Sequence, residues 1–159
     1  MKRMSHLRLR DYAGWHCDSC ARLITSVCDG WVEWLASEDD TGVTILDGLR
    51  LVHRGSCRYD ARTVFGNRRS VVEGLCLDRF MGTDGLILLL SLLAAGELPA
   101  GEVIDLAKRV QVPGYELARN LTEGENLPQL VVPSLGHGCY LQSEITELLT
   151  RAMKDHQAA

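Results

Sequence analysis

The 159 residues contain no apolar run long enough to cross a membrane. The strongest is Leu86-Ile87-Leu88-Leu89-Leu90-Ser91-Leu92-Leu93-Ala94-Ala95, ten residues, where a span needs about 20. It reads as a buried core helix. No apolar stretch follows the charges of Met1-Lys2-Arg3-Met4-Ser5-His6, so no secretory leader is expected. With six cysteines in 159 residues, the chain is larger and sparser in cysteine than disulfide scaffolds are. The expectation is of reduced thiols in a cytoplasmic protein. Also missing are an HExxH signature, a glycine-rich phosphate loop, and a recognisable motif with paired catalytic carboxylates. The chain is therefore not expected to be an enzyme. No repeat or low-complexity tract is visible.

What is present is ordinary for a globular domain: 46% apolar and 24% charged residues. The net charge is −4, unevenly spread. Residues 1–80 carry 12 Lys/Arg against 11 Asp/Glu, and residues 81–159 carry 5 against 10. Within 50–69, Arg50, Arg54, Arg58, Arg62, Arg68 and Arg69 face Asp60 alone. Such a cluster suits an anionic partner surface or a solvated loop.

The specific signal is Cys17-Asp18-Ser19-Cys20, followed 33 positions on by His53-Arg54-Gly55-Ser56-Cys57. Short-spaced thiolate and imidazole pairs on turns converge into the tetrahedron that zinc prefers, with ligands at about 2.0–2.3 Å. The expected ligands are Cys17, Cys20, His53 and Cys57, with His16, Cys28 and Cys76 as substitutes. Four protein ligands leave no position for a reacting water, so the site is expected to be structural. A thioredoxin-like reading needs CxxC to open a helix after a strand. Thr25, Val27 and Asp29-Gly30 make a poor long helix. His137-Gly138-Cys139 places an imidazole near a thiol, but adjacency does not make a nucleophile pair.

Along the chain, His6-Leu7-Arg8-Leu9-Arg10 alternates as a short strand, and Trp31-Val32-Glu33-Trp34-Leu35 reads as a strand. A turn covers Ser37–Gly42. Val43–Leu46 and Leu49–His53 read as two further strands around Asp47-Gly48, a hairpin dipeptide. Residues 17–57 thus resemble a zinc-ribbon or related zinc-knuckle module, with each ligand pair on a tight turn and strands between. Two departures stand out. Ala21 follows the second Cys where knuckles often place Gly, and the second pair is H-x3-C, which also fits a treble-clef-like variant. The resemblance implies a binding module.

Residues 58–82 read as a connector. Asp84 is expected to cap a helix over Gly85–Ala95, stopped by Gly96-Glu97-Leu98-Pro99. Ala100–Val110 and Tyr115–Leu121 read as helices broken by Pro113-Gly114. Leu130–Val132 suits a short strand. Ser143 is expected to cap a last helix with Ile145, Leu148, Leu149 and Ala152 on its apolar face. Residues 100–121 resemble a helix-turn-helix, with Ala107 at the small position and Leu106, Val110, Val112 and Leu117 at core positions. An αα-hairpin buried in a core accounts for the same pattern.

The expected fold is α+β: a small zinc-stapled antiparallel β module over residues 1–80, then a helical bundle over 81–159, as one compact unit. The expected function is protein binding without catalysis, with zinc as the cofactor. The expected partner surface is Trp31, Trp34, Arg54, Arg58, Arg68 and Arg69, since aromatic residues and arginine anchor interfaces. Trp31 and Trp34, three apart in a strand, point to opposite faces, so one is expected in the core. The alternative function is DNA-binding regulation through residues 100–121.

Overall fold

In the computed structural model the fold is described over residues 14–60, 62–63, 70–123 and 140–157. The expected strands at 6–10 and 130–132, together with Arg68, Arg69, His137 and Cys139, lie outside those residues. The fold is α+β. Two short strands, β1 (Trp15–His16) and β2 (Leu23–Ile24), pair antiparallel. A three-stranded antiparallel sheet of β3 (Gly30–Glu38), β4 (Thr44–His53) and β5 (Ser70–Cys76) has the order β4-β3-β5. Among the described residues four helices follow: α1 (Gly82–Ala95), α2 (Ala100–Gln111), α3 (Tyr115–Glu123) and α4 (Gln142–Gln157). No described helix is long and apolar enough to cross a membrane. The chain divides into two compact units, residues 1–107 and 108–159.

In the first unit, β3 is the central strand. Asp39 makes the turn into β4: its Oδ1 accepts from the Thr41 and Val43 N–H groups at 2.8 and 2.9 Å. Gly42 supplies the positive φ of 82° that the turn needs. Ser37 and Glu38, expected in the turn, still pair with Ile45 and Thr44.

The hairpin expected at Asp47-Gly48 does not form. β4 runs through it without reversing, and the register against β3 shifts there: Glu33 faces Arg50, but Leu35 faces Asp47. The shift is a β-bulge with Gly48 at φ 66°. Side chains satisfy its displaced backbone groups. The Tyr59 hydroxyl donates to the Gly48 carbonyl at 3.1 Å, and the Leu49 N–H donates to Glu102 Oε2 at 2.8 Å. The same left-handed glycine serves a hairpin or a bulge; only strand pairing decides which.

The expected connector contains β5, seven residues antiparallel to β3. Gly74 hides this strand in the sequence, because glycine weakens a strand pattern. It is there for close approach: a Cβ on Gly74 would stand 2.5 Å from Trp31 Nε1.

Helix α1 begins at Gly82 with Met81 as N-cap, so Asp84 sits inside the first turn rather than at the cap. Gly96, at φ 66°, ends it in the left-handed conformation. Gly85 and Leu89 are buried, but Leu86, Ile87 and Leu90 are exposed. The expectation of a fully buried helix fails on that side.

In the second unit, Tyr115, Ala118, Ile145 and Leu148 form a buried cluster, flanked by Val112, Leu121, Tyr140 and Leu149. The N-cap side of α4 is Leu141, whose N–H donates to Glu144 Oε2 at 2.7 Å. That is the return half of a capping box, and it displaces Ser143 from the expected cap role.

Candidate metal centre

The four expected ligands come together from two turns. The first turn lies between β1 and β2. Cys17 N–H donates to the Arg22 carbonyl at 2.9 Å, and Ala21 N–H to the Cys17 carbonyl at 2.8 Å. This wraps the backbone around the two thiols. The wrap puts Ala21 at φ 57°, the left-handed region, where no other described non-glycine residue sits. Ala21 therefore holds glycine geometry without glycine's freedom, at a cost on the order of 1 kcal/mol. Ala21→Gly is expected to stabilise the protein by about 0.5–1 kcal/mol, read by denaturant melts. A destabilised variant would mean that the Cβ packs usefully and the strain is absent.

Asp18 docks this turn onto the sheet. Its N–H donates to the Leu51 carbonyl at 2.8 Å, and its Oδ2 accepts from the Leu51 N–H at 2.7 Å. The pair of bonds covers part of the free edge of β4. His53 then ends β4, and Gly55, at φ 131°, turns the chain so that Cys57 returns beside it.

One ligand atom from each of Cys17, Cys20, His53 and Cys57 lies within 4.8 Å of all the others. His53 Nδ1 is 3.5 Å from Cys20 Sγ and 3.8 Å from Cys57 Sγ. A tetrahedral zinc with ordinary bond lengths separates a sulphur and a nitrogen ligand by roughly 3.6 Å. The cluster is close enough to bind a metal ion, and its three-sulphur, one-nitrogen set fits zinc. His53 Nε2 lies 3.3 Å from the Leu23 carbonyl. Donation there puts the proton on Nε2 and leaves the Nδ1 lone pair facing the sulphurs, the arrangement usual for a ligating histidine. The substitutes His16, Cys28 and Cys76 are not members of the cluster.

The electrostatics differ from thiol to thiol. Burial opposes the Cys17 thiolate, but hydrogen bonds from the backbones of Cys20, His53 and Ser19 outweigh it, and the thiol sits below its usual pKa. The Arg22 side chain and N–H lower that of Cys20. Cys57 moves the other way, raised by burial and then by hydrogen bonding with the Cys20 and Cys17 thiols. Cys17 and Cys57 are buried, Cys20 and His53 half-buried. A polar cleft of about 430 Å³ opens beside His53, with Arg22, Thr25, Asp29, Arg54 and Ser56 in its walls.

The proposed partner residues fare unevenly. Trp34 is buried, and its Nε1–H donates to Glu73 Oε2 across the strand pair at 3.0 Å. It is the core member of the tryptophan pair. Trp31 is half-buried under guanidinium groups, with Arg58 4.5 Å and Arg54 5.9 Å from its ring centroid.

Sequence reasoning missed Glu33. It is fully buried. Its Oε1 accepts from Arg50 Nε and Nη2 at 3.0 and 2.8 Å and from the Tyr59 N–H at 2.8 Å, while Arg58 stands 3.6 Å from Oε2. Arg50 Nη2 also donates to the Cys57 carbonyl at 3.1 Å, and its guanidinium stacks on Tyr59. Arg50 thus braces the second ligand turn from within, while Arg58, itself exposed, reaches Glu33 from the surface. The available signal was a lone acid in an apolar strand opposite an arginine-rich segment.

The arrangement is a Cys3His cluster, close enough to bind a metal ion, built on two turns of a small β scaffold. No protein-family model, curated protein or solved structure matches the chain.

Proposed function

We propose that this is a zinc protein whose metal is structural, and that it acts in the cytoplasm by binding another protein rather than by catalysis. The observation that carries the zinc reading is the convergence of Cys17, Cys20, His53 and Cys57, with His53 Nδ1 turned to the sulphurs by the bond to Leu23. Three thiolates and a neutral imidazole around Zn²⁺ leave one net negative charge, which Arg22 beside Cys20 offsets. Four protein ligands leave no open position for a substrate or water, which favours a structural role.

The protein-binding reading draws on Arg54, in the wall of the cleft beside the centre, and on Trp31, whose ring lies 5.9 Å from the Arg54 guanidinium. Aromatic and arginine side chains carry much of the energy of protein interfaces. The DNA-binding alternative draws less support. At the start of α3, which would be the recognition helix, Tyr115 and Glu116 are buried. Arg109 is buried in an ion pair with Glu116 at 2.9 Å, and Arg119 stands 3.8 Å from the same carboxylate. Phosphate contacts need exposed cations.

Elemental analysis of protein purified under reducing conditions is expected to give one zinc per chain. A folded protein without metal would refute the zinc reading. A nuclease-treated extract is expected to yield a partner to the wild type and much less to Arg54→Glu. Equal capture by both would remove this surface from the interface.

A further inference from the structure

Helix α1 is apolar on two sides. At 100° per residue, Gly85, Leu88, Leu89 and Leu92 fall on one arc, which is buried or half-buried. Leu86, Ile87, Leu90 and Ala94 fall on the opposite arc, within about 100° of one another. This second stripe is exposed: Leu86 by 41%, Ile87 by 58% and Leu90 by 56%. A helix packed on one side ordinarily turns charge to solvent on the other. Here no charged residue occurs between Asp84 and Glu97. Ser91, at the rim, already donates its hydroxyl to the Ile87 carbonyl at 2.8 Å. The stripe therefore offers no charge to desolvate; of its two hydroxyls, that of Ser91 already has a partner, and Thr83 lies at the exposed first turn, at one end of the stripe.

We propose that this stripe is a homodimer interface, in which two copies pack α1 against α1 antiparallel about Leu90. Three observations select a second copy. First, the stripe is complementary to itself. With Leu90 against Leu90 of the second copy, Leu86 falls opposite Ala94 and Ala94 opposite Leu86, so large meets small on both sides of the axis. A two-fold interface requires this property of a single patch. Second, two uncharged stripes meet without like-charge repulsion or an unpaired ion, whereas the arginine-rich side of the sheet would need an acidic partner. Third, antiparallel packing opposes the two helix dipoles, each N-terminal end meeting the other's C-terminal end. The inference does not depend on the metal.

The test is the mass of the full chain by sedimentation equilibrium across concentration, with zinc content measured on the same samples. A dimer is expected, with Leu90→Glu weakening it by more than about tenfold. Leu90→Gln is expected to weaken it less. Leu90 is more than half exposed, so neither variant is expected to unfold the chain. Leu90→Cys should give an added covalent dimer with a short thiol crosslinker, mapped by peptide mass spectrometry. Thr83→Cys should not, because its two copies would stand about 21 Å apart along antiparallel axes. Crosslinking at both positions would overturn the antiparallel arrangement. A monomer at every concentration would overturn the dimer, as would a dimer indifferent to Leu90→Glu. So would a solution monomer that sediments with phosphatidylcholine vesicles. A monomer with one zinc per chain leaves the proposed function standing. A metal-free dimer removes the zinc reading and keeps this one.

Discussion

Cys20→Ser is expected to strip the metal from the chain and lower its melting temperature by about 10–20 °C. The two turns that would hold the metal are 33 residues apart. Between them run the second strand of the short pair and the first two strands of the small sheet. The hydrogen bonds between Asp18 and Leu51 and between His53 and Leu23 tie the first turn to the sheet. Structural zinc contributes on the order of 10 kcal/mol where it organises a small module, since the site does not pre-exist in the unfolded chain. A sheet with its own core keeps part of its stability without metal, so a loss of about 5 kcal/mol is the working figure. That corresponds to roughly 10–20 °C for a chain of this length. Serine leaves a neutral hydroxyl where a thiolate is needed. Excess chelator should produce the same change in the wild type, and zinc should reverse it there alone. Calorimetry beside elemental analysis checks this; unchanged melting in the metal-free variant would refute a structural role.

Glu33→Ala is the second large effect. The carboxylate is fully buried between Arg50, Arg58 and the Tyr59 N–H. Removing one partner of a buried pair costs about 3–5 kcal/mol, because the remaining charge is left without compensation. Arg50 retains some solvent contact, with 20% of its side chain exposed, so the expected loss is about 3 kcal/mol. The melting temperature should fall by roughly 6–12 °C. Metal affinity should fall as well, by about tenfold, because Arg50 also holds the Cys57 carbonyl. Glu33→Gln keeps the shape and some hydrogen bonding, and should cost less. Denaturant melts and competitive metal titration check the two halves separately. A loss under 1 kcal/mol would show that the arginines find other partners.

Both effects concern parts of the molecule that were unequally legible. The cluster of Cys17, Cys20, His53 and Cys57 could be read from the chain because metal sites use close pairs on turns. Cys17 with Cys20 and His53 with Cys57 are each a few residues apart, and local geometry converges each pair. The helices were legible for a similar reason: Gly96, Pro99 and the Pro113-Gly114 break act on their own neighbours. The substitutes His16, Cys28 and Cys76 could not be set aside in the same way, since membership depends on where a distant strand ends.

What the residues dictate alone, then, is local: two chelating turns, the left-handed positions at Gly42, Gly48 and Gly96, and the apolar periodicity of four helices. Tertiary structure decided the rest. It made Asp47-Gly48 a bulge rather than a hairpin, because β4 pairs with β3 on both sides of it. It made residues 70–76 a strand, because they pair with β3 along their whole length, Gly74 leaving room for the indole of Trp31. It placed Trp34 in the core and left Trp31 under arginines. It buried Glu33 beside partners 17 and 26 residues away. It left one stripe of α1 uncovered, although both stripes are equally apolar in sequence. The physical reason is common to all five. Each outcome is set by which surfaces meet across long stretches of chain, and burial, pairing and exposure belong to the meeting rather than to the residue.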